Sequence, residues 1–355
     1  MDIYVYNKNN ECIDVIDTYQ SAIWDLSYYD AGKFELYIAA NEKIVRLMVP
    51  DNRLIRDKDI SDDGTMRHVM IIKKVVLSTD DETGDNLIVT GFDLKIILRQ
   101  RIVWQQTNLS GTIEDCIKKL LIENVISPDI VQRKLDNFTF RPEKNIKKIQ
   151  KQITGDNLMD AVVGILSENG IGWDVYIDSI GNYVMTTYTG IDRSVNQDVN
   201  PCVVFSAANE NIVDDTYTLD LTDYANVVLT AGEGEGLARR RLGFGETEGI
   251  DRYEIYKDAR DISSNNEEIS DTEYNNMLLA VGSQALAEHS KTEKYEGSIE
   301  TQGLYRYGVD YNIGDIVSVI NRYGISANPR IIGVIESVSD DGVTIVPTLS
   351  TWIGE

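Results

Sequence analysis

Histidine is nearly absent from this chain: its 355 residues include two, His68 and His289. A Ser-His-Asp or Cys-His arrangement would have to draw on one of them, and an HExxH zinc site would need both on one helix, so these hydrolase chemistries find no support. His68 stands beside an expected strand. His289 falls near an expected helix end, where a surface histidine facing the helix dipole is an ordinary arrangement. Cysteine is also scarce. Cys12, Cys116 and Cys202 lie far apart without a CxxC pair, which argues against a zinc site or a disulfide framework; the expectation is reduced, buried thiols made in a cytoplasm. No segment reaches the roughly 18 apolar residues that span a bilayer. The N-terminus Met1-Asp2-Ile3-Tyr4-Val5-Tyr6 lacks a basic region followed by an apolar core, so neither secretion by a signal nor membrane embedding is expected. Positive charge is the last shortage, with 34 Lys and Arg against 58 Asp and Glu and a formal charge of −24. A surface that neutralises phosphates is normally basic, so tight DNA binding is disfavoured. Self-repulsion that keeps the chain soluble accounts for such a balance; acidic walls along a passage through which DNA slides without sticking are the sharper alternative.

What remains is an ordinary globular composition, 42% hydrophobic and 26% charged. The length predicts two to four substructures with sizeable cores. Nineteen Tyr against six Phe and four Trp tilt the reading towards β structure.

Residues 1–104 read as strands at Ile3–Tyr6, Phe34–Ile38, Val69–Ile72 and Leu87–Thr90, separated by turn-forming Asp, Asn and Gly. Ser61-Asp62-Asp63-Gly64 is a clear turn. Asp80-Asp81-Glu82-Thr83-Gly84-Asp85-Asn86 is a solvated hairpin tip; its carboxylates miss the EF-hand pattern and no downstream Glu closes a calcium loop. From Ser110 the period changes. Ile113, Ile117, Leu120, Leu121 and Val125 form one helical stripe, and Leu158, Ala161, Val162, Ile165 and Leu166 a second, ended by Gly170. Trp173–Ile177 and Tyr183–Tyr188 then form a hairpin across Asp178–Asn182. Between the helices lie Arg133, Lys134, Arg141, Lys144, Lys147, Lys148 and Lys151, a solvated face or a dock for an acidic neighbour or another copy; without interleaved aromatics they do not make a nucleic-acid platform. From Ser194 to Ala238 there is no Lys or Arg at all, while Asp198, Glu210, Asp214, Asp215, Asp220, Asp223, Glu233 and Glu235 all fall there. Ser270-Asp271-Thr272-Glu273 has capping-box spacing, and Tyr274, Leu278, Val281 and Ala285 predict a helix to about His289. Strands follow at Ile316–Val319, Ile331–Ile335 and Val343–Val346, the last two joined by Ser339-Asp340-Asp341-Gly342.

Other candidate chemistry fails on its residues. Gly232-Glu233-Gly234-Glu235-Gly236-Leu237 has Leu where a GxGxxG loop needs its last glycine, and two glutamates would face the pyrophosphate. Arg239-Arg240-Arg241 is most simply an offset to the local acidic surplus. Paired carboxylates of the glycosidase kind are guaranteed by chance among so many acids.

Three stretches carry a resemblance: Asp251-Arg252-Tyr253-Glu254-Ile255-Tyr256-Lys257-Asp258-Ala259-Arg260-Asp261-Ile262, then Tyr307–Val319, then Arg330–Glu336. In this order they resemble the hub proteins at the tip of long-tailed phage tails, over nearly the whole chain. The resemblance implies an α+β, β-rich fold with two tube-like β-barrels and α+β insertions. On the chain these would be 1–104, an N-terminal barrel; 105–198, an α+β insertion; 199–238 with 295–350, a second barrel; and 239–294, a helical insertion packing with the α+β domain. It implies a homotrimer, since three chains with two barrels each present six tube-like domains to a six-fold tube. The implied partners are itself, a distal-tail or tail-tube protein, a tape-measure protein and a spike or fibre, with DNA as transient cargo and no membrane association. The implied place is the virion tail tip, assembled in the host cytoplasm, with no cofactor, no metal and no catalytic residue. Arg252, Glu254, Arg260 and Asp261 are then fold or interface charges, and Gly314-Asp315 a tight turn opening a barrel strand. The alternatives are a tail-tip wall-degrading enzyme using carboxylates and a carbohydrate-binding module, the latter suggested by the tyrosines.

Overall fold

The computed structural model describes residues 1–79, 84–143, 146–264, 269–299 and 304–350, without side chains at 212–215 and 294–299. Strand outweighs helix, 39% to 21%, so the chain is β-rich as its tyrosines and alternating runs predict. Its largest unit is a curled, half-barrel sheet of nine strands. In spatial order these are Cys12–Ile16, Ile3–Tyr6, Arg53–Arg56, Met70–Ser78, Asn86–Asp93, Lys33–Ala39, Ser21–Ser27, Ile331–Ser339 and Gly342–Leu349. Every neighbouring pair is antiparallel.

The alternation explains the face. Ala22, Trp24 and Leu26 point one way with Phe34, Leu36 and Ile38, and all are buried in one core with Ile3, Val5, Met70, Ile72, Leu87 and Val89. The C-terminal run was expected to join 199–238 in a second barrel. Instead Ile331–Ser339 hydrogen-bonds along Ser21–Ser27, with Val334 opposite Leu26 and Glu336 opposite Trp24. The physical reason is complementarity on the inner face: Val334 and Leu349 complete the apolar core, and Glu336 meets buried Arg56. Residues 199–238 distribute among smaller sheets. Val204–Ser206 pairs parallel with Ile316–Ile320, Ile212–Asp220 antiparallel with Thr292–Ile299, and Val227–Ala231 lies between Arg241–Phe244 and Glu254–Asp258.

Residues 107–188 build a second core around two helices. Helix α2, Ile113–Leu121, follows α1, Glu42–Leu47, in the chain; it is capped by Thr112 and runs on as a wide turn through Ile122–Ile126. Helix α3, Leu158–Ser167, is capped by Asn157, and Gly170 leaves it at φ +66. The stripe residues Ile113, Ile117, Leu120, Leu121, Val125, Leu158, Val162, Ile165 and Leu166 are all buried together with Trp173, Val175 and Ile177. The Gly172–Ile177 and Tyr183–Tyr188 hairpin forms as expected. Helix α4, Asp271–Glu288, carries the full capping box between Ser270 and Glu273, and Tyr274, Leu278 and Ala285 are buried. It packs on the Val227–Ala231 sheet. The turn at Ser61–Gly64 closes with Gly64 N–H donating to Ser61 C=O, and Ser339 pairs with Gly342 across the last hairpin. The Asp80–Thr83 part of the expected hairpin tip lies outside the described residues; the strands leading into it pair as far as Ser78 and Asn86. Of the three thiols, Cys116 is buried, whereas Cys12 and Cys202 are exposed, against the expectation of three buried ones: Cys12 sits on the edge strand of the large sheet, where one side has no neighbour to cover it.

Candidate functional site

The Gly314-Asp315 turn lies at the meeting point of the chain's main units. Gly314 adopts φ +97, a backbone conformation that disfavours side chains, and its N–H donates to Ile331 C=O at 2.7 Å while Ile331 N–H returns a bond to Asp315 C=O at 2.8 Å. The Asp315 carboxylate is buried and fully employed: it accepts from Ile191 N–H and Arg193 Nε, each at 2.8 Å, and from Asn312 N–H at 3.0 Å. One side chain thereby ties the strand Asp192–Arg193 to the strand Ile316–Ile320. Tyr28 fills the other side of the turn. Its buried ring lies so close that a Cβ on Gly172 would stand 2.1 Å from Cε2 and one on Gly314 2.5 Å. Its hydroxyl reaches Gly170 C=O at 3.2 Å and Tyr188 C=O at 3.1 Å, and the Arg330 guanidinium stacks 5.5 Å from the ring centroid while donating to Gly314 C=O. Burial raises the Tyr28 pKa, so the phenol stays protonated and able to donate.

The charged cassette is organised locally. Arg252 pairs with Glu254 at 2.6 Å and donates to Thr247 C=O. Arg260 pairs with Asp258 at 3.5 Å, and Asp258 also holds Arg239 at 2.5 Å. Asp261 stands apart from these pairs; it lines a groove of about 920 Å³ between α3 and α4, whose walls include Ala161, Gly164, Met277 and Val281. Burial and then the Asp261 charge raise the Asp156 carboxyl across that groove. The six fold or interface candidates therefore separate into the paired charges Arg252, Glu254 and Arg260 of the cassette, Asp261 alone at the groove, and the Gly314-Asp315 node.

The remaining sequence candidates have structural partners. His289 caps α4 and its Nδ1 lies 2.8 Å from Asp223 C=O; His68 is half-buried at φ +49. Two of the three arginines 239–241 offset acids: Arg239 reaches Asp258, and Arg240 reaches Asp271 at 2.7 Å and Glu233 at 3.7 Å, whereas Arg241 donates to Gly236 C=O at 3.2 Å. In the basic stretch Lys134 pairs with Asp136, Arg141 with Asp178 and Lys151 with Glu168, while Lys144 lies outside the described residues. Among the described residues no group of three His, Cys, Asp or Glu side chains is placed to hold a metal, and no helix is long and apolar enough to cross a membrane.

Sequence reasoning missed a buried ion cluster. Arg56 pairs with Asp59 at 2.5 Å and Glu336 at 3.1 Å, Lys58 also reaches Glu336, and the guanidinium sits 5.2 Å from the Trp24 ring centroid. Arg56 and Glu336 are 2% and 3% exposed, which makes this a pair inside the core and not a surface bridge. The available signal was a charge at an inward-facing place: Glu336 follows Val334 by two residues, on the same side of its strand.

A family model for Siphovirus ReqiPepy6 Gp37-like proteins matches residues 2–349. The chain belongs to that family. Its fold is also shared, over almost the full length of both partners, with solved phage tail proteins. The tail protein from Neisseria meningitidis MC58 superposes with a TM-score of 0.59 at 16% identity, over 98% of this chain and 95% of that one. The 43 kDa tail protein of prophage MuSo2 from Shewanella oneidensis gives 0.60 at 12% identity, over 99% and 98%. Prophage tail protein gp18 from Listeria monocytogenes EGD-e gives 0.57 at 12%, over 99% and 94%. A comparison with curated protein sequences finds no match. At these identities side chains have diverged almost completely while the backbone plan persists. For this Gp37-like chain the node and the ion cluster therefore matter first as what holds that plan together.

Proposed function

We propose that this chain is a structural hub of the tail tip of a phage or phage-like particle, three copies forming a ring that continues or closes the tail tube and joins it to spike or fibre components. The observation that carries the reading is the end-to-end correspondence of fold with three tail proteins, which leaves no large segment over for a separate activity within residues 2–349. The curled nine-stranded sheet supports it, because such a sheet offers a concave wall that neighbouring copies extend into a tube. In the proposed ring each chain supplies this sheet as one tube-like unit and the smaller sheets of 199–238 and 254–320 as the second. The charge of −24 suits a lumen that passes DNA without binding it. The proposed neighbours are a distal-tail or tail-tube protein, the tape-measure protein and a spike or fibre.

Purified chain examined by light scattering and by negative-stain microscopy tests this directly. A mass of three chains and ring-shaped particles are expected. A monomer at all concentrations, both alone and mixed with the particle's tube protein, overturns the reading, as does release of peptidoglycan fragments that one Asp or Glu substitution abolishes.

A further inference from the structure

Ten of the chain's 17 arginines face a carboxylate among the described residues, and three of the other seven fall near one another. Arg46, Arg56, Arg67, Arg141, Arg193, Arg239, Arg240, Arg252, Arg260 and Arg306 each have a carboxylate within 4 Å. Among the described residues Arg53, Arg99, Arg101, Arg133, Arg241, Arg322 and Arg330 have none, and of these Arg99, Arg101 and Arg133 stand beside an exposed aromatic ring. Arg101 and Arg133 are adjacent, with Arg99 two residues before Arg101 in the chain: Arg101 Nε donates to Arg133 C=O at 3.1 Å, and Arg133 donates to Ile102 C=O at 2.6 Å and to Asn124 Oδ1 at 3.1 Å. Burial and then the Arg101 charge lower the Arg133 pKa, the sign of cations pressed together without a counter-ion. Beside them Trp104 is 56% exposed with Arg133 stacked 5.1 Å from its ring centroid, and Val131 is 72% exposed. A solvent-facing Trp among unneutralised guanidiniums is the composition of an interface core.

We propose that this patch docks a second copy of the chain through its lysine-free acidic region, at Leu219-Asp220-Leu221-Thr222-Asp223. That segment is exposed throughout, with Leu219 and Leu221 50% and 53% exposed, so it offers alternating apolar and anionic side chains. Hydrogen bonds from Thr222 lower the Asp220 carboxyl and keep it anionic. The fit is of kind to kind: aspartates to Arg99, Arg101 and Arg133, leucines to Trp104 and Val131. Because the two surfaces differ, the contact is head-to-tail, the type that closes into a ring when the rotation permits. The inference rests on the multi-copy reading above.

The test is charge reversal followed by compensation. Arg99→Glu with Arg101→Glu is expected to weaken self-association at least about tenfold by sedimentation velocity, as is Asp220→Lys with Asp223→Lys; an equimolar mixture of the two variants regains it through the swapped contact. Circular dichroism matching the wild type shows that the variants fold. A wild-type chain that remains monomeric sinks the multi-copy reading and this inference with it. A wild-type chain that associates while both variants associate equally well overturns the inference alone. So does a wild-type patch that instead binds duplex DNA or anionic vesicles in a manner abolished by Arg99→Glu with Arg101→Glu.

Discussion

Glu336 is the residue on which the inner face of the large sheet turns. Burial works against its charge, but Arg56 and Lys58 outweigh it and hold the carboxyl below its usual range. A carboxyl depressed by folding adds stability that is fully present above its unfolded value, about 4.5, and is lost as pH falls through the folded value. Denaturant midpoints measured from pH 7 down to pH 3 should therefore fall steeply for the wild-type chain and less steeply for Glu336→Gln. Glu336→Ala at pH 7 should cost about 3 kcal/mol, since it leaves Arg56 buried with Asp59 as its remaining counter-charge. Tyr28 allows a second test at this scale. Gly172→Ala places a methyl within the van der Waals radius of its ring, an overpacking expected to cost about 3 kcal/mol. Tyr28→Leu relieves that clash, so the double variant should be destabilised by clearly less than the sum of the two single ones, by thermal or chemical melts.

At the scale of elements, local chemistry decided most of what the sequence disclosed. Helix α4 follows from Ser270 and Glu273 reading each other's backbone donors, and Ser270→Ala should cost about 1 kcal/mol with m-value unchanged. The helical stripes of α2 and α3, the Ser61–Gly64 turn and the two hairpins were legible for the same reason: each is specified within a few residues of itself. Strand partners were not. Nothing in Ile331–Ser339 says locally whether it lies beside Ser21–Ser27 or beside Val204–Ser206, because alternation gives a face but no address. The node was half legible. Gly314 signals a turn by its type, whereas Tyr28, the ring it accommodates, sits far away in sequence and carries no mark of burial against glycine. The unneutralised arginines escaped notice too: Arg99 and Arg101 precede the basic stretch, and only the fold shows which cations lack carboxylates.

For the whole molecule, the family model and the fold shared with solved tail proteins both run almost end to end, and in the proposed assembly the net charge becomes a property of the whole. If three copies surround a lumen, raising ionic strength should have little effect on passage of DNA but should weaken the charged seams between copies, so the proposed trimer should dissociate more readily at 1 M than at 0.1 M salt in light scattering. The pairing of Ser21–Ser27 with Ile331–Ser339 has a further consequence, one of timing. An emerging chain finishes its first seven strands early, but the Ser21–Ser27 edge stays unpaired until the last strands arrive, and contacts this distant in sequence form slowly. Removing residues 331–350 should thus yield a chain that binds a hydrophobic dye and aggregates, while the intact chain refolds in a slow final phase. An edge kept open through synthesis is an edge that another copy's strand can take first, and on a crowded ribosome the order of assembly becomes a contest between closing the sheet and sharing it.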